Sequence, residues 1–230
     1  MAVKLNQDQF ENLCRQDSPT IANAVERFRL RPRVSGYAGY DLKCIFPELG
    51  TMLGYAVTCT ADSTTETRPN PFGLFPLWEA VEKSPKPAIV VMKDIGDDRT
   101  RGCHLGEVMA TTSKALGAIG CVTDAGVRDI REIKALGDFH LFCAGFVVAH
   151  GNPVVCQVGG EVELCGMRIR AGELLHGDIN GLLVIPEEIA DRVAEEAERI
   201  REMERQILDL VKSPGFTLQK LRELHKKFTH

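Results

Sequence analysis

Residues 106–133 read GEVMATTSKALGAIGCVTDAGVRDIREI, and the fold turns on how this stretch divides. At its start, Leu105, Val108 or Met109, Thr112 and Leu116 recur at helical spacing on one face, which predicts a helix over Leu105 to Leu116. Gly117 breaks that pattern. Ala118 to Thr123 is then a short continuous apolar run closed by Asp124, the mark of a strand buried on both faces. An equivalent run, Ala88 to Met92, lies upstream between Pro87 and Lys93-Asp94, so the unit is strand, helix, strand.

Polar groups begin where the second apolar run stops. In open α/β sheets ligands gather beyond the carboxyl ends of strands, so Asp124, Arg128, Asp129 and Glu132 stand where a site is expected. Asp129 and Glu132, at i and i+3, share a face if this turn is helical. The guanidinium of Arg128 suits a planar carboxylate because its donor fork binds two oxygens at once, and Asp129 is a hard oxygen ligand suited to Mg²⁺. The plainer reading is a solvated turn with exposed ion pairs, which stabilise little.

Upstream of this unit, Asn6 to Arg15 has the pattern of a short amphipathic helix. Ser18-Pro19-Thr20 supplies a cap and a first-turn proline for a second helix to about Phe28. These helices read as a lid or a subunit contact. A Gly-, Pro- and aromatic-rich loop over 31–50 precedes a strand over Met52 to Thr60, a loop, TADSTTETRPNPFG, and a helix around Leu77 to Glu82. Downstream, His140 to Pro186 alternates short apolar runs with glycine turns, which predicts several antiparallel strands or a barrel-like sheet. Pro186-Glu187-Glu188 then opens a long helix striped by Ile189, Val193, Ala197, Ile200, Ile207 and Leu210. Pro214-Gly215 ends it before a short helix carrying Leu218, Leu221, Leu224 and Phe228.

Composition limits the function classes. The 230 residues are 44% hydrophobic and 26% charged, the profile of one domain with an ordinary core, and a net charge of -4 gives no strong field for nucleic acid or an anionic membrane. The eight Cys are scattered, without a CxxC pair, and read as buried free thiols of a reducing, cytoplasmic compartment. The start, MAVKLNQDQFENL, lacks the apolar core of a secretory signal. Phe139 to Gly160 has no Asp, Glu, Lys or Arg, but its Gly, Pro and His residues argue against a bilayer span.

The 106–133 run resembles the signature of the RraA-like family, which includes 4-hydroxy-4-methyl-2-oxoglutarate aldolase and 4-carboxy-4-hydroxy-2-oxoadipate aldolase. That signature is a Gly, a spacer, Arg-Asp, two residues and an acid, here Gly106, Arg128-Asp129 and Glu132. The similarity continues through the Gly-Gly-rich region ending DINGLLVIP and the long C-terminal helix, and more weakly in SPTIANAVE. It implies an α/β fold, a layered α/β/β sandwich of the swivelling β/β/α type with N- and C-terminal helices. The whole of 1–230 would be one domain: a helical and loop region over 1–50, an α/β core over 51–186 and helices over 187–230.

The activity implied is that of a class II, divalent-metal-dependent lyase. It cleaves a 4-hydroxy-2-oxo acid to pyruvate and a second oxo acid, with oxaloacetate decarboxylation as a companion reaction. Carried over by position, Arg128 orients the 2-oxo acid and its enolate, Asp129 holds Mg²⁺ or Mn²⁺, and Glu107 contacts the metal through water. The amides of Val108 and Met109 face the substrate carboxylate, and Glu132 is a further acid near the metal. Glu204 or Glu202 of a neighbouring subunit completes the site in the homotrimer or hexamer that the family forms. Two positions depart from the usual pattern: Asp124-Ala125-Gly126 replaces Asp-Gly, and Glu107 stands where Asp is usual.

Other chemistries have less behind them. A Schiff-base lyase needs a desolvated Lys, whereas Lys114 and Lys134 read as solvated helix residues. His104 and Glu107 have a ligand-compatible spacing, yet a lone His at a helix start reads first as a surface or capping group. Gly117 and Gly120 do not complete a nicotinamide fingerprint, and no glycine-rich nucleotide loop supports a methyltransferase. The alternative of a different class is a non-catalytic RraA-type regulator of ribonuclease activity that acts by protein contact.

Overall fold

In the computed structural model, which describes residues 5–66 and 69–228, the chain opens with two capped helices. Residues 1–4 of the N-terminal stretch, Thr67 and Arg68 of the loop over 60–73, and residues 229–230 lie outside the described residues. α1 (Gln7–Cys14) starts at Asn6, whose side chain accepts from the Gln9 amide while the Gln9 side chain accepts from the Asn6 amide. α2 (Ser18–Arg27) starts at Asp17, with Pro19 in its first turn. Of the two expectations for these helices, the lid is corrected here. Leu13, Ile21, Ala24 and Val25 are buried in one cluster with Val193, Ala197 and Ile200, so both helices are part of the core.

The chain continues through β1 (Lys43–Cys44), β2 (Met52–Asp62), α3 (Phe75–Lys83), β3 (Ala88–Asp94), β4 (Cys103–Leu105), α4 (Glu107–Ala115), β5 (Ala118–Thr123) and β6 (Gly126–Val127). Next come α5 (Ile130–Lys134), β7 (His140–Cys143), β8 (Gly145–Phe146), β9 (Val154–Val158), β10 (Glu161–Leu164), β11 (Met167–Arg170), β12 (Leu174–Asp178) and β13 (Gly181–Ile185). α6 (Val193–Lys212) and α7 (Leu218–Phe228) close the described chain.

The main sheet has the order β1-β7-β5-β3-β2-β12-β13. β2, β3, β5 and β7 are parallel, whereas β1, β12 and β13 join antiparallel. On the edge away from β3, the long β2 serves two partners, β12 along Met52–Tyr55 and β9 along Cys59–Asp62. The antiparallel character expected after His140 therefore holds for β9 to β13 but not for β8, which is parallel to β6, or for β7 against β5, and among the described residues the sheet does not close into a barrel. A four-residue apolar run carries no mark of direction; the crossover through α5 sets it.

Alternation sorts the two faces of the sheet. Val57, Cys59 and Ala61 of β2, with Val90 and Met92 of β3, pack with Leu77 and Val81 of α3 and Met109 and Ala110 of α4. Ala56, Ile89 and Val91 pack instead with Val162, Leu164, Met167 and Ile169 of the β10–β11 hairpin. Covering both faces requires apolar residues at successive positions, which is why these strands read as unbroken hydrophobic runs. The layers are helices, sheet and hairpin, the α/β/β order.

Beyond the carboxyl ends of three central strands, the chain bends and re-forms a smaller parallel sheet. β3 is followed by β4, β5 by β6 and β7 by β8, and the small sheet has the order β4-β6-β8. This second sheet carries the polar cluster.

At the C-terminal end, Pro186 leads into a short 3-10 turn over Glu187–Ile189, and the long helix begins at Val193 rather than at Glu187. Burial of Ile189 and Ala190 in the cluster that holds Val193 fixes this break. α7 packs along α6 and buries no residue fully. All eight cysteines are free thiols, and burial pushes those of Cys59 and Cys143 up to about 12, which leaves them unreactive. Among the described residues no helix is long and apolar enough to cross a membrane.

His176 is fully buried and pins α2 to the sheet. Its Nε2 donates to the Leu13 carbonyl (3.2 Å), which leaves Nδ1 to accept from the Ser18 hydroxyl (3.0 Å). Burial holds its pKa below the ordinary 6.5, and burial lowers that of His140 as well. Below pH 6.5 the unfolded chain takes up protons that these rings refuse, so stability falls as pH drops through 6.5 and stops falling at the folded-state pKa. The urea midpoint is expected to decline between about pH 7.5 and 5.5, each ring contributing at most about 1.4 kcal/mol per pH unit. The decline should be shallower in His176→Gln; an equal slope in both proteins contradicts the assignment.

Candidate active site

The small sheet places two chain segments side by side. β4 ends at Leu105, whose carbonyl accepts from the Arg128 amide (2.9 Å), so Gly106 and Arg128 leave adjacent strands together. Gly106 is the extended N-cap residue of α4. Asp129 comes directly after Arg128, sits in the left-handed region (φ 56°, ψ 44°) and holds the N-cap position of α5 without capping it through its side chain. A non-glycine residue held there stores about 1–3 kcal/mol, tolerated most readily by Asp and Asn, and such strain is characteristic of functional sites.

That backbone turn sends the Asp129 carboxylate back across the strand gap. Its Oδ2 accepts from the first amide of α4, Glu107 N, at 3.0 Å, and Arg128 Nε lies 3.5 Å from the same oxygen. The approach needs a glycine, because a Cβ on Gly106 would stand 2.6 Å from Asp129 Oδ2 and 3.1 Å from Arg128 Nε. Arg128 and Asp129 are each 36% exposed, so the pair contributes little to stability but is open to a ligand.

The next amides of α4, those of Val108 and Met109, have no acceptor among the described residues. They point from a helix N-terminus, where partial positive charge favours an anion. The Met109 side chain is buried in the core and the Val108 side chain is 74% exposed, which decides the choice the helical spacing left open. Glu107 is exposed at the same helix start.

Other residues from the sequence reading are not gathered here. Glu132 is exposed on α5, and because Asp129 precedes that helix in a left-handed conformation, the two do not share a helical face. Asp124 is 2% exposed and closed off: it holds Lys93 Nζ at 2.5 Å and the Asp94 amide at 2.8 Å, while Arg99 donates to its carbonyl. Glu204 and Glu202 lie on α6, lining a groove with Asp17 and Arg201, and no hydrogen bond or ion pair within the chain joins either to Arg128 or Asp129. Lys134 pairs with Glu48 and Lys114 with Asp138, as surface lysines do.

His104 is neither a surface cap nor an open ligand. It is buried on β4, with Nε2 2.6 Å from Asp94 Oδ2. Cys103 is a neighbour that sequence reasoning missed: burial pushes its thiol up, and it lies close enough to Arg128 and Asp129 to sense both charges. For Asp94, the partner of His104, the available signal was positional, since Asp94 closes the Ala88 run as Asp124 closes the Ala118 run. A cavity of about 820 Å³ borders the small sheet, lined by Ser63, Arg101, Phe146, Val147 and Val148 but not by Arg128 or Asp129. It adjoins their strand, because Val147 N donates to the Val127 carbonyl.

Among the described residues no group of three or more His, Cys, Asp or Glu could enclose a metal ion. The donor set nevertheless suits one hard cation. Mg²⁺ is commonly held by one or two carboxylates while keeping several waters, and Asp129 is a partly exposed carboxylate whose Oδ1 has no partner among the described residues.

Fold and site together define an α/β/β protein in which an Arg-Asp pair faces an open helix start. The chain belongs to the RraA-like family (Aldolase/RraA), which matches residues 18–184. An uncharacterised protein of Methanocaldococcus jannaschii is 31% identical over 127 residues, 55% of this chain and 61% of that protein. A Halalkalibacterium halodurans protein named "Putative 4-hydroxy-4-methyl-2-oxoglutarate aldolase" is 34% identical over 119 residues, 51% of this chain and 55% of that protein. The chain thus matches under two thirds of the length of either relative. The crystal structure of Streptomyces coelicolor RraAS2, described as an unusual member of the RNase ES inhibitor RraA protein family, has a TM-score of 0.69 at 20% identity, over 88% of this chain and 96% of that one, and shares the fold.

Gly106→Ala is expected to force the Asp129 carboxylate off the Glu107 amide. In ¹H–¹⁵N spectra the Glu107 amide proton should move upfield to near its position in Asp129→Ala; an amide shift unchanged from wild type contradicts the contact.

Proposed function

We propose that the Arg128–Asp129 site catalyses retro-aldol cleavage of a 4-hydroxy-2-oxo acid, giving pyruvate and a second oxo compound. The observation that carries this reading is the convergence of a guanidinium, a carboxylate and unpaired helix-start amides on the gap at Gly106. Family membership and the resemblance to a protein named as an aldolase support it.

Asp129 would hold a divalent cation, Mg²⁺ or Mn²⁺, with Glu107 reaching it through water. When bound, that ion supplies Lewis acidity to the 2-oxo group. The chain's own groups do the rest. The amides of Val108 and Met109 bind the substrate carboxylate at the positive end of α4, and this fixes C1 and C2 of the substrate beside Arg128. Glu107, the second carboxylate at the helix start, accepts the 4-hydroxyl proton through water. The C4 oxygen then forms a carbonyl, the C3–C4 bond breaks, and its electron pair enters the pyruvate enolate. The Arg128 guanidinium stabilises the enolate oxygen, and protonation at C3 releases pyruvate.

Decarboxylation of oxaloacetate leaves the same enolate and needs the same arginine, so it belongs to the same reading. The longer side chain of Glu107 sets no bar to a water-mediated role, which needs reach rather than direct contact. A homotrimer or hexamer, with Glu204 or Glu202 of a neighbouring chain entering the site, completes the proposal. The substrate is a small 2-oxo acid, and nucleic acid and membrane have no part in it.

The test is pyruvate release from 4-hydroxy-4-methyl-2-oxoglutarate and from oxaloacetate. Turnover should vanish with chelator, return with Mg²⁺ or Mn²⁺, and fall at least about 100-fold in Arg128→Ala and Asp129→Ala, the usual cost of losing one charge-stabilising group. Borohydride with pyruvate should leave no adduct. A covalent adduct overturns the metal-dependent route, and no turnover on either substrate favours the regulator that acts by protein contact.

A further inference from the structure

Three side chains at the junction of the two sheets form a buried polar network that the proposed chemistry does not use. Asp94 ends β3, His104 is the middle residue of β4, and Asp124 comes directly after β5. The side chains of Asp94 and His104 are each 1% exposed, and that of Asp124 is 2% exposed. Polar groups buried this far are costly unless they find partners, and each of the three has one here. Asp94 Oδ2 accepts from His104 Nε2 at 2.6 Å, and Oδ1 accepts from the Gly96 amide at 3.1 Å. The Asp94 amide donates to Asp124 Oδ1 at 2.8 Å, and Asp124 Oδ2 holds Lys93 Nζ at 2.5 Å. Gly102 makes room for this packing, since a Cβ there would stand 2.7 Å from Asp94 Oδ2.

The network sits at a break in the ladder of the small sheet. β4 pairs with β6 at Cys103↔Gly126 and Leu105↔Val127, so the ladder skips one residue, and that residue is His104. Such a bulge bends its strand and re-aims the residues on its C-terminal side. In β4 those residues lead to Gly106 and the start of α4. On the other side, Asp124 stands just before β6, the strand that delivers Arg128 and Asp129. Both arms of the site therefore leave from residues tied to Asp94, His104 through its carboxylate and Asp124 through its backbone amide.

We propose that Asp94 is a positioning residue: its carboxylate, through His104, fixes the bulged strand that carries Gly106 against the strand that carries Arg128 and Asp129, to which the Asp94 backbone amide is tied at Asp124. This inference rests on the proposed catalytic role of the Arg128–Asp129 site. The contact to be held is the 3.0 Å approach of the Asp129 carboxylate to the Glu107 amide. The second-sheet strands are too short to hold it themselves, as β6 and β8 have two residues each. A side-chain brace from the main sheet supplies the missing rigidity, and small losses of alignment at a reacting centre are expensive.

The experiment compares Asp94→Asn, which keeps the volume, His104→Leu, which removes the donor, and His104→Gln, which returns an N–H near the position of Nε2. Arg128→Ala and Asp129→Ala serve as site controls. With saturating Mg²⁺, Asp94→Asn and His104→Leu are expected to lose about 10–100-fold in kcat for pyruvate release while KM stays within about 3-fold, the pattern of lost alignment rather than lost substrate binding. His104→Gln should recover most of the loss. The Glu107 amide proton reads the same contact without turnover, and in Asp94→Asn and His104→Leu it should move toward its position in Asp129→Ala. If kcat and the Glu107 amide stay as in wild type in both variants, whatever their melting temperatures, the brace is overturned. If the wild type releases no pyruvate, the reading of the site fails by itself, and the Glu107 amide alone decides the brace.

Discussion

A carboxylate reaches the first amide of α4 only because no side chain stands at position 106. The rest of the site depends on that one steric allowance. Asp129 must turn into the left-handed region to make the approach, the turn starts α5 one residue later, and Arg128 is left alongside with its Nε on the same oxygen. The amides of Val108 and Met109 stay open because the Asp129 carboxylate takes the amide before them.

The architecture explains why so short a sheet carries this contact. Three parallel strands, buried on both faces, give a rigid main sheet, and their continuations β4, β6 and β8 inherit its order while lying outside its packing. Functional groups gain exposure there, as they do at the carboxyl ends of other parallel sheets. The cost is a loss of backbone restraint, and it is offset by side chains: Ser63 accepts from the Cys103 amide, Arg99 donates to the Asp124 carbonyl, and Asp94 holds His104. Polar burial at this junction and partial exposure at Arg128–Asp129 are two parts of one arrangement.

Membership of the RraA-like family frames the function without fixing it, because the fold is shared by proteins named for an aldolase reaction and by proteins named for ribonuclease inhibition. What separates the two is local chemistry. A surface for protein contact has no need of a strained aspartate beside unpaired helix amides, whereas stabilising an enolate calls for a fixed cation and an anion site in register. Val108 at the start of α4 and Phe146 on β8 are both exposed.

Local patterns determined much of this protein from the sequence alone. Helical spacing in 105–116 and the apolar run 118–123 gave elements within two residues of those observed, and the position of Arg128-Asp129 past a strand end pointed to the site. Periodicity reports which residues face a core, and that much is encoded within a few neighbours. The direction of β7, the closing-off of Asp124 by Lys93 and Asp94, the burial of His104 and the left-handed turn at Asp129 were settled only in three dimensions. Each depends on a partner far along the chain. A short apolar strand has no preferred direction until a crossover supplies one, and an acidic side chain reads as exposed until a distant cation and amide replace its water.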